Sequence, residues 1–216
     1  MVRGVALALV LAVGGCNSLL GIEDLTLVDA VPPDARTTYI VREGVAGYAL
    51  TKDTFITDAA ATTSHADDVD LQWNATNNIH ALLRFDDLFG TGGIPPGAMI
   101  QMSTLEVEVL EAGSPSGQLY EAKVDWDETT TYSTMGAIAG VSGEDRSFQV
   151  PGVLDGSMVG KATINVTQSL TRWAADPAMN KGWIFVPAAD ALLVRIASSD
   201  DPVEEHRPKL TVEIVP

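Results

Sequence analysis

Along most of the chain, short runs of Val, Ile, Leu, Thr and Phe alternate with clusters of Gly, Pro, Asn and Asp, the rhythm of short strands separated by turns. In Thr104-Leu105-Glu106-Val107-Glu108-Val109-Leu110 and in Leu210-Thr211-Val212-Glu213-Ile214-Val215 apolar and polar residues alternate. Each therefore predicts a strand with one face in a core and one in water. Asp68 to Trp73 alternates likewise, placing Val69, Leu71 and Trp73 on one side and Asp68, Asp70 and Gln72 on the other. Further strands are predicted at 81–85, 117–124, 162–166, 183–187 and 192–197. The exception is 167–174, where a Thr at the N-cap precedes Leu170 and Trp173 at helical spacing. These elements predict an all-β fold over residues 37–216, an antiparallel β-sandwich with one short helix.

The N-terminus has a different character. Residues 1–15 carry one cation, Arg3, then an apolar run from Val5 to Val13 that ends in small residues, the plan of a secretory signal. The run is too short to span a bilayer, which takes about 20 apolar residues in a helix. Val13-Gly14-Gly15-Cys16 resembles the lipobox of bacterial lipoproteins, which implies diacylglyceryl transfer to the Cys16 thiol and cleavage before it. Two or three acyl chains, at about 0.8 kcal/mol per buried methylene, exceed what stable anchoring requires. The same resemblance implies export to the outer membrane or cell surface, since Asn17 rather than Asp follows the cysteine. Residues 16–36 then read as the lipidated cysteine and an extended tether, with Pro32-Pro33 favouring extended backbone.

Composition narrows the function. With 29 Asp and Glu against 13 Lys and Arg the net charge is -16, and removal of residues 1–15 makes it one unit more negative. Nucleic acid is excluded as a partner, because it needs a basic face to displace counterions. At 46% hydrophobic and 19% charged residues the chain can bury a full core. Cys16 is the only cysteine, so the folded body has no disulfide framework, thiolate metal cluster or cysteine nucleophile.

Several fragments in order resemble the DNRLRE-type domains, a β-sandwich family related to carbohydrate-binding modules of family 96. They are Lys52-Asp53-Thr54-Phe55-Ile56, Leu82-Leu83-Arg84-Phe85-Asp86 and Ile94-Pro95-Pro96-Gly97-Ala98-Met99-Ile100. Val124-Asp125-Trp126-Asp127-Glu128-Thr129 follows, then Ile164-Asn165-Val166-Thr167, Asn180-Lys181-Gly182-Trp183, Ser198-Ser199-Asp200 and Arg207-Pro208-Lys209-Leu210-Thr211-Val212. The likeness runs over residues 48–216. It departs from the family at Tyr132 and at Asp200, where a Glu commonly follows the serine pair. The resemblance implies a jelly-roll-like sandwich, usually appended to an enzyme or held at a surface, and polysaccharide as the ligand class.

Catalytic constellations are sparse. His65, His80 and His206 are dispersed without metal-ligand spacing, and Gly90-Thr91-Gly92-Gly93 lacks the Lys-Ser/Thr of a phosphate loop. Asp125 and Asp127 flank Trp126 so that both carboxylates face solvent and the indole faces inward. A glycosidase would instead hold two carboxyls across a cleft. Alternation and helical spacing send Trp73, Trp126, Trp173 and Trp183 to the core, leaving Tyr48, Tyr120 and Tyr132 as ligand-binding candidates. Calcium is the metal that fits the acidic clusters, with Asp67, Asp68, Asp70, Asp200, Asp201 and Glu204 as ligands bracing loops. A solvated charged surface explains the same residues without a metal. The negative charge makes neutral glycans, or acidic ones bridged by calcium, easier partners than a free polyanion. The sequence thus leads to a lipid-anchored, non-catalytic binder of polysaccharide or surface polymer. A structural or adhesion lipoprotein recognising a protein partner is the alternative, and a polysaccharide-degrading enzyme the third reading.

Overall fold

The computed structural model describes residues 36–114 and 117–215. The export signal expected at residues 1–15, the lipidation expected at Cys16 and all but the last residue of the tether expected over 16–36 lie outside the described residues.

Eleven strands form two sheets among the described residues, and every strand pairing in them is antiparallel. The first sheet contains β1 (Thr37–Arg42), β11 (Lys209–Val215), β5 (Met99–Glu111), β10 (Val194–Ala197) and β3 (Asp70–Trp73) in that order, with β8 (Gly160–Asn165) also paired to β5. The second runs β2 (Thr51–Ile56), β4 (His80–Phe85), β9 (Trp183–Val186), β6 (Gln118–Ala122) and β7 (Arg146–Gln149). The first strand pairs with the last, Thr37 opposite Ile214, and the late strand β9 enters between β4 and β6. That crossing order is a jelly roll.

The alternation in β5 and β11 has its anticipated cause. Leu105, Val107, Val109, Leu210 and Val212 are buried between the sheets, and Glu106 turns outward, where it meets Arg42, Lys161 and Lys209. The sandwich core is closed by aromatic pairs: Trp73 stacks on Phe185 at 5.3 Å and Trp173 lies 4.8 Å from Trp183. Such pairs contribute about 0.5–1.5 kcal/mol each beyond their burial.

The second sheet is buried on both faces in its centre. Ala81, Leu83 and Phe85 of β4 face the sandwich core, whereas Leu82 joins Ile56, Ile184, Ala122, Trp126 and Met135 in a separate cluster. Trp126, Met135, Tyr132 and Val141 come from the segment between β6 and β7, which covers that outer face. Two-sided burial explains the unbroken apolar runs in β4 and β9.

Local differences from the sequence reading are small and have physical reasons. Val69 is 53% exposed because the strand begins at Asp70, so the phase that buries Leu71 and Trp73 does not extend back to it. Thr167 is the first residue of α1 (Thr167–Ala175) rather than its N-cap. Its Oγ1 accepts from Ser103 N at 2.8 Å, pinning the helix to β5, and Asn165 Oδ1 accepts from Thr167 N at 3.0 Å. Ser169, Leu170, Trp173 and Ala174 are the buried face of that helix.

Candidate functional site

An open groove of about 440 Å³ lies between β1 and two loops, 45–50 and 87–94. Tyr39, Ile40 and Val41 form one wall, Tyr48 and Leu50 the second, and Asp87, Leu88, Thr91, Gly92, Gly93 and Ile94 the third. The 87–94 loop is held from below by Leu88 and Ile94, which are buried. Ile94 N donates to Leu88 O at 2.9 Å and Gly90 N to Ile94 O at 3.0 Å, closing the loop on itself. Gly93 is required there, because an added Cβ would stand 2.7 Å from the Leu88 carbonyl oxygen. Asp87 has φ +50°, a left-handed conformation that Asp tolerates better than most residues.

Tyr48 is fixed by its hydroxyl, which donates to Asp86 O at 2.9 Å, and by its ring against Phe85. Burial first, then the carboxylates of Asp86, Glu43 and Asp87, drive its pKa far above the usual phenol range. It stays a neutral donor at any physiological pH. Asp86 is engaged by Lys52 at 3.2 Å and by Arg84 Nε at 2.6 Å. Asp87 has no ion pair or side-chain hydrogen bond among the described residues. The groove therefore combines two half-buried phenols, exposed loop backbone and one carboxylate without a counter-ion.

Of the three tyrosines singled out from the sequence, only Tyr48 lines this groove. Tyr120 lies on β6 beneath the Arg146 guanidinium, 4.5 Å from its ring centroid, with its hydroxyl 2.9 Å from Gln118 Oε1 and 3.2 Å from Gln149 Oε1. Tyr132 packs into the outer cluster and its hydroxyl accepts from Asn78 Nδ2 at 2.7 Å. The three have separate partners on separate elements. Tyr39, which sequence reasoning did not select, is the second phenol of the groove.

Three of the six candidate calcium ligands have protein partners for their carboxylates. Asp68 Oδ2 is 2.8 Å from His65 Nδ1, Asp70 pairs with Arg195 Nε at 3.3 Å, and Asp201 Oδ1 accepts from Val203 N at 2.7 Å. Glu204 lies beside Gly44. Asp67 and Asp200, from the two different clusters, come close enough that Asp67 follows burial as a cause raising the Asp200 carboxyl. Glu128 is raised likewise, by burial and by Asp200, Asp127 and Asp67, against the opposing pull of Lys52. Beneath them Asp53, 1% exposed, accepts from Ser199 N at 2.7 Å and ties β2 to the turn after β10. Burial pushes its carboxyl up to about 7. Among the described residues no three His, Cys, Asp or Glu side chains are grouped so as to hold a metal ion.

Trp73, Trp126, Trp173 and Trp183 are all buried, and Trp126 Nε1 donates to Lys181 O at 2.7 Å. The flanking Asp125 points to solvent, where it meets Lys181 at 2.9 Å. At the end of the sandwich Glu121, also buried, pairs with Arg172, whose guanidinium lies 3.8 Å from the Phe148 ring centroid.

The fold and this groove define an antiparallel β-sandwich with a surface recess beside an edge strand. Comparison of the chain with family models gives no match, and none of the curated proteins compared with it matches either.

Proposed function

We propose that this protein is a non-catalytic polysaccharide-binding lipoprotein, held at the outer membrane or cell surface through Cys16, with glycan lying in the groove beside β1. The observation that carries this reading is the pair Tyr39 and Tyr48 lining one open groove with Thr91, Asp87 and the backbone of Gly92 and Gly93. Phenol faces suit the apolar faces of sugar rings, and polar groups at the rim orient hydroxyls. A shallow groove of this size binds weakly, and many copies on one membrane add avidity. The acidic surroundings favour neutral over polyanionic chains.

The test is affinity electrophoresis against neutral and acidic polysaccharides. Saturable retardation by a neutral polymer, weakened several-fold in Tyr39→Ala, is the expected result. A folded protein retarded by none of them would discard this reading. One observation favours a protein partner as the second reading: β1 is an edge strand, and an edge beside an apolar groove can accept an extended peptide.

A further inference from the structure

Three features of the groove together restrict its ligand more than size does. The rim carries Asp87, a carboxylate without ion pair or side-chain hydrogen bond among the described residues, held there by a left-handed backbone. Lys52 and Arg84 are committed to the adjacent Asp86. Two phenols, Tyr39 and Tyr48, line the same recess. A carboxylate together with aromatic rings is the chemistry that receives an organic ammonium, since the ring quadrupole and the anion both attract the cation.

Resting on the glycan reading above, we propose that the groove takes an amino-sugar chain whose free ammonium groups meet Asp87 beside Tyr39 and Tyr48. Such a ligand is a polysaccharide of deacetylated hexosamine. The carboxylates of Glu43 and Asp87 are both felt at Tyr48, and their charge has the sign that draws an amine in. Each sugar amine reaching Asp87 replaces water around a carboxylate that the protein itself leaves uncompensated.

The test uses the full chain with three hexasaccharides: β-1,4-linked glucosamine, its fully N-acetylated counterpart, and the corresponding glucose oligomer. Titration calorimetry at pH 5.5, where the sugar amines carry protons, gives the affinities. The glucosamine hexamer is expected to bind about threefold or more tighter than the acetylated one. Asp87→Asn, an isosteric change at an exposed position, removes that preference. Asp190→Asn, an exposed acid on the loop between β9 and β10 outside the groove, leaves it intact and controls for bulk charge. Equal affinities in the wild type, or an unchanged preference in Asp87→Asn, overturn the proposal while leaving neutral glycan binding standing. Binding of hexalysine at the same affinity and with the same dependence on Asp87 also overturns it, because the site would then read an amine without a sugar. If no hexamer binds and no polymer retards the protein, both the amine inference and the glycan reading fall.

Discussion

Asp53 and His80 titrate in opposite senses across the same pH range, and separating them tests the buried polar architecture. Burial pushes the Asp53 carboxyl up to about 7 from 3.8, and burial pulls the His80 imidazole down to about 4 from 6.5. Between pH 4 and 7 the folded state holds a proton on Asp53 that the unfolded chain has lost, so stability from this group falls as pH rises. Between pH 4 and 6.5 the unfolded chain protonates His80 while the folded state keeps it neutral, so stability from this group rises with pH. At about 1.4 kcal/mol for each pH unit between folded and unfolded values, Asp53 contributes a fall of about 4 kcal/mol and His80 a rise of about 3 kcal/mol. These two contributions therefore nearly cancel from about pH 4.5 to 6.5 in the wild type, and each substitution unmasks the other group. Asp53→Asn keeps an acceptor for Ser199 N and should grow more stable with rising pH. His80→Gln keeps a donor for Asn78 Oδ1, now 2.9 Å from His80 Nε2, and should lose stability as pH rises. Glu128 and Asp200, also raised, add to the falling sense in every variant. Urea unfolding followed by tryptophan fluorescence at four pH values between 4.5 and 7.5 reads the slopes, since all four tryptophans are buried. Slopes of the same sign in the two variants would refute the opposed linkage.

Three further outcomes are expected. Trp126→Ala should cost about 3–5 kcal/mol in urea unfolding, because it empties the outer cluster and removes the bond to Lys181 O; a loss under 1 kcal/mol, on the order of a surface change, would contradict that packing. Arg172→Ala should cost about 3–5 kcal/mol by leaving Glu121 buried and unpaired, and Glu121→Gln added to it should recover part of the loss. No recovery in the double variant would show that the cost lies elsewhere, in contact with Phe148. Cys16→Ala should abolish incorporation of labelled fatty acid and membrane association, and unchanged labelling would defeat the anchoring.

What the sequence reveals about this fold depends on how many faces of a strand are buried. β5 and β11 have one wet face, and their alternation places Leu105, Val107, Leu210 and Val212 inward in agreement with the structure. β1 and β7 escape notice because edge strands carry weaker patterns: Ile40 is 58% exposed, and β7 has Phe148 as its one apolar residue. The tryptophans were legible as core because each is in phase with apolar neighbours. The groove was not, since Tyr39 and Asp87 belong to segments joined only by tertiary packing. The tie from Asp53 to Ser199 likewise spans 146 residues, beyond the reach of any local pattern.

The pairing of β1 with β11 bears on when the protein can fold. Thr37 faces Ile214, and the N-terminal half of β5 is zipped to the same last strand, Met99 opposite Val215. The first sheet thus cannot close until residues 209–215 have been made. Contacts of such sequence separation form slowly, after a long loop has been closed. A chain emerging from the ribosome would lack its closing strand until residues 209–215 had emerged. The topology that builds the sandwich therefore also delays its closure until β11 can join β1 and β5.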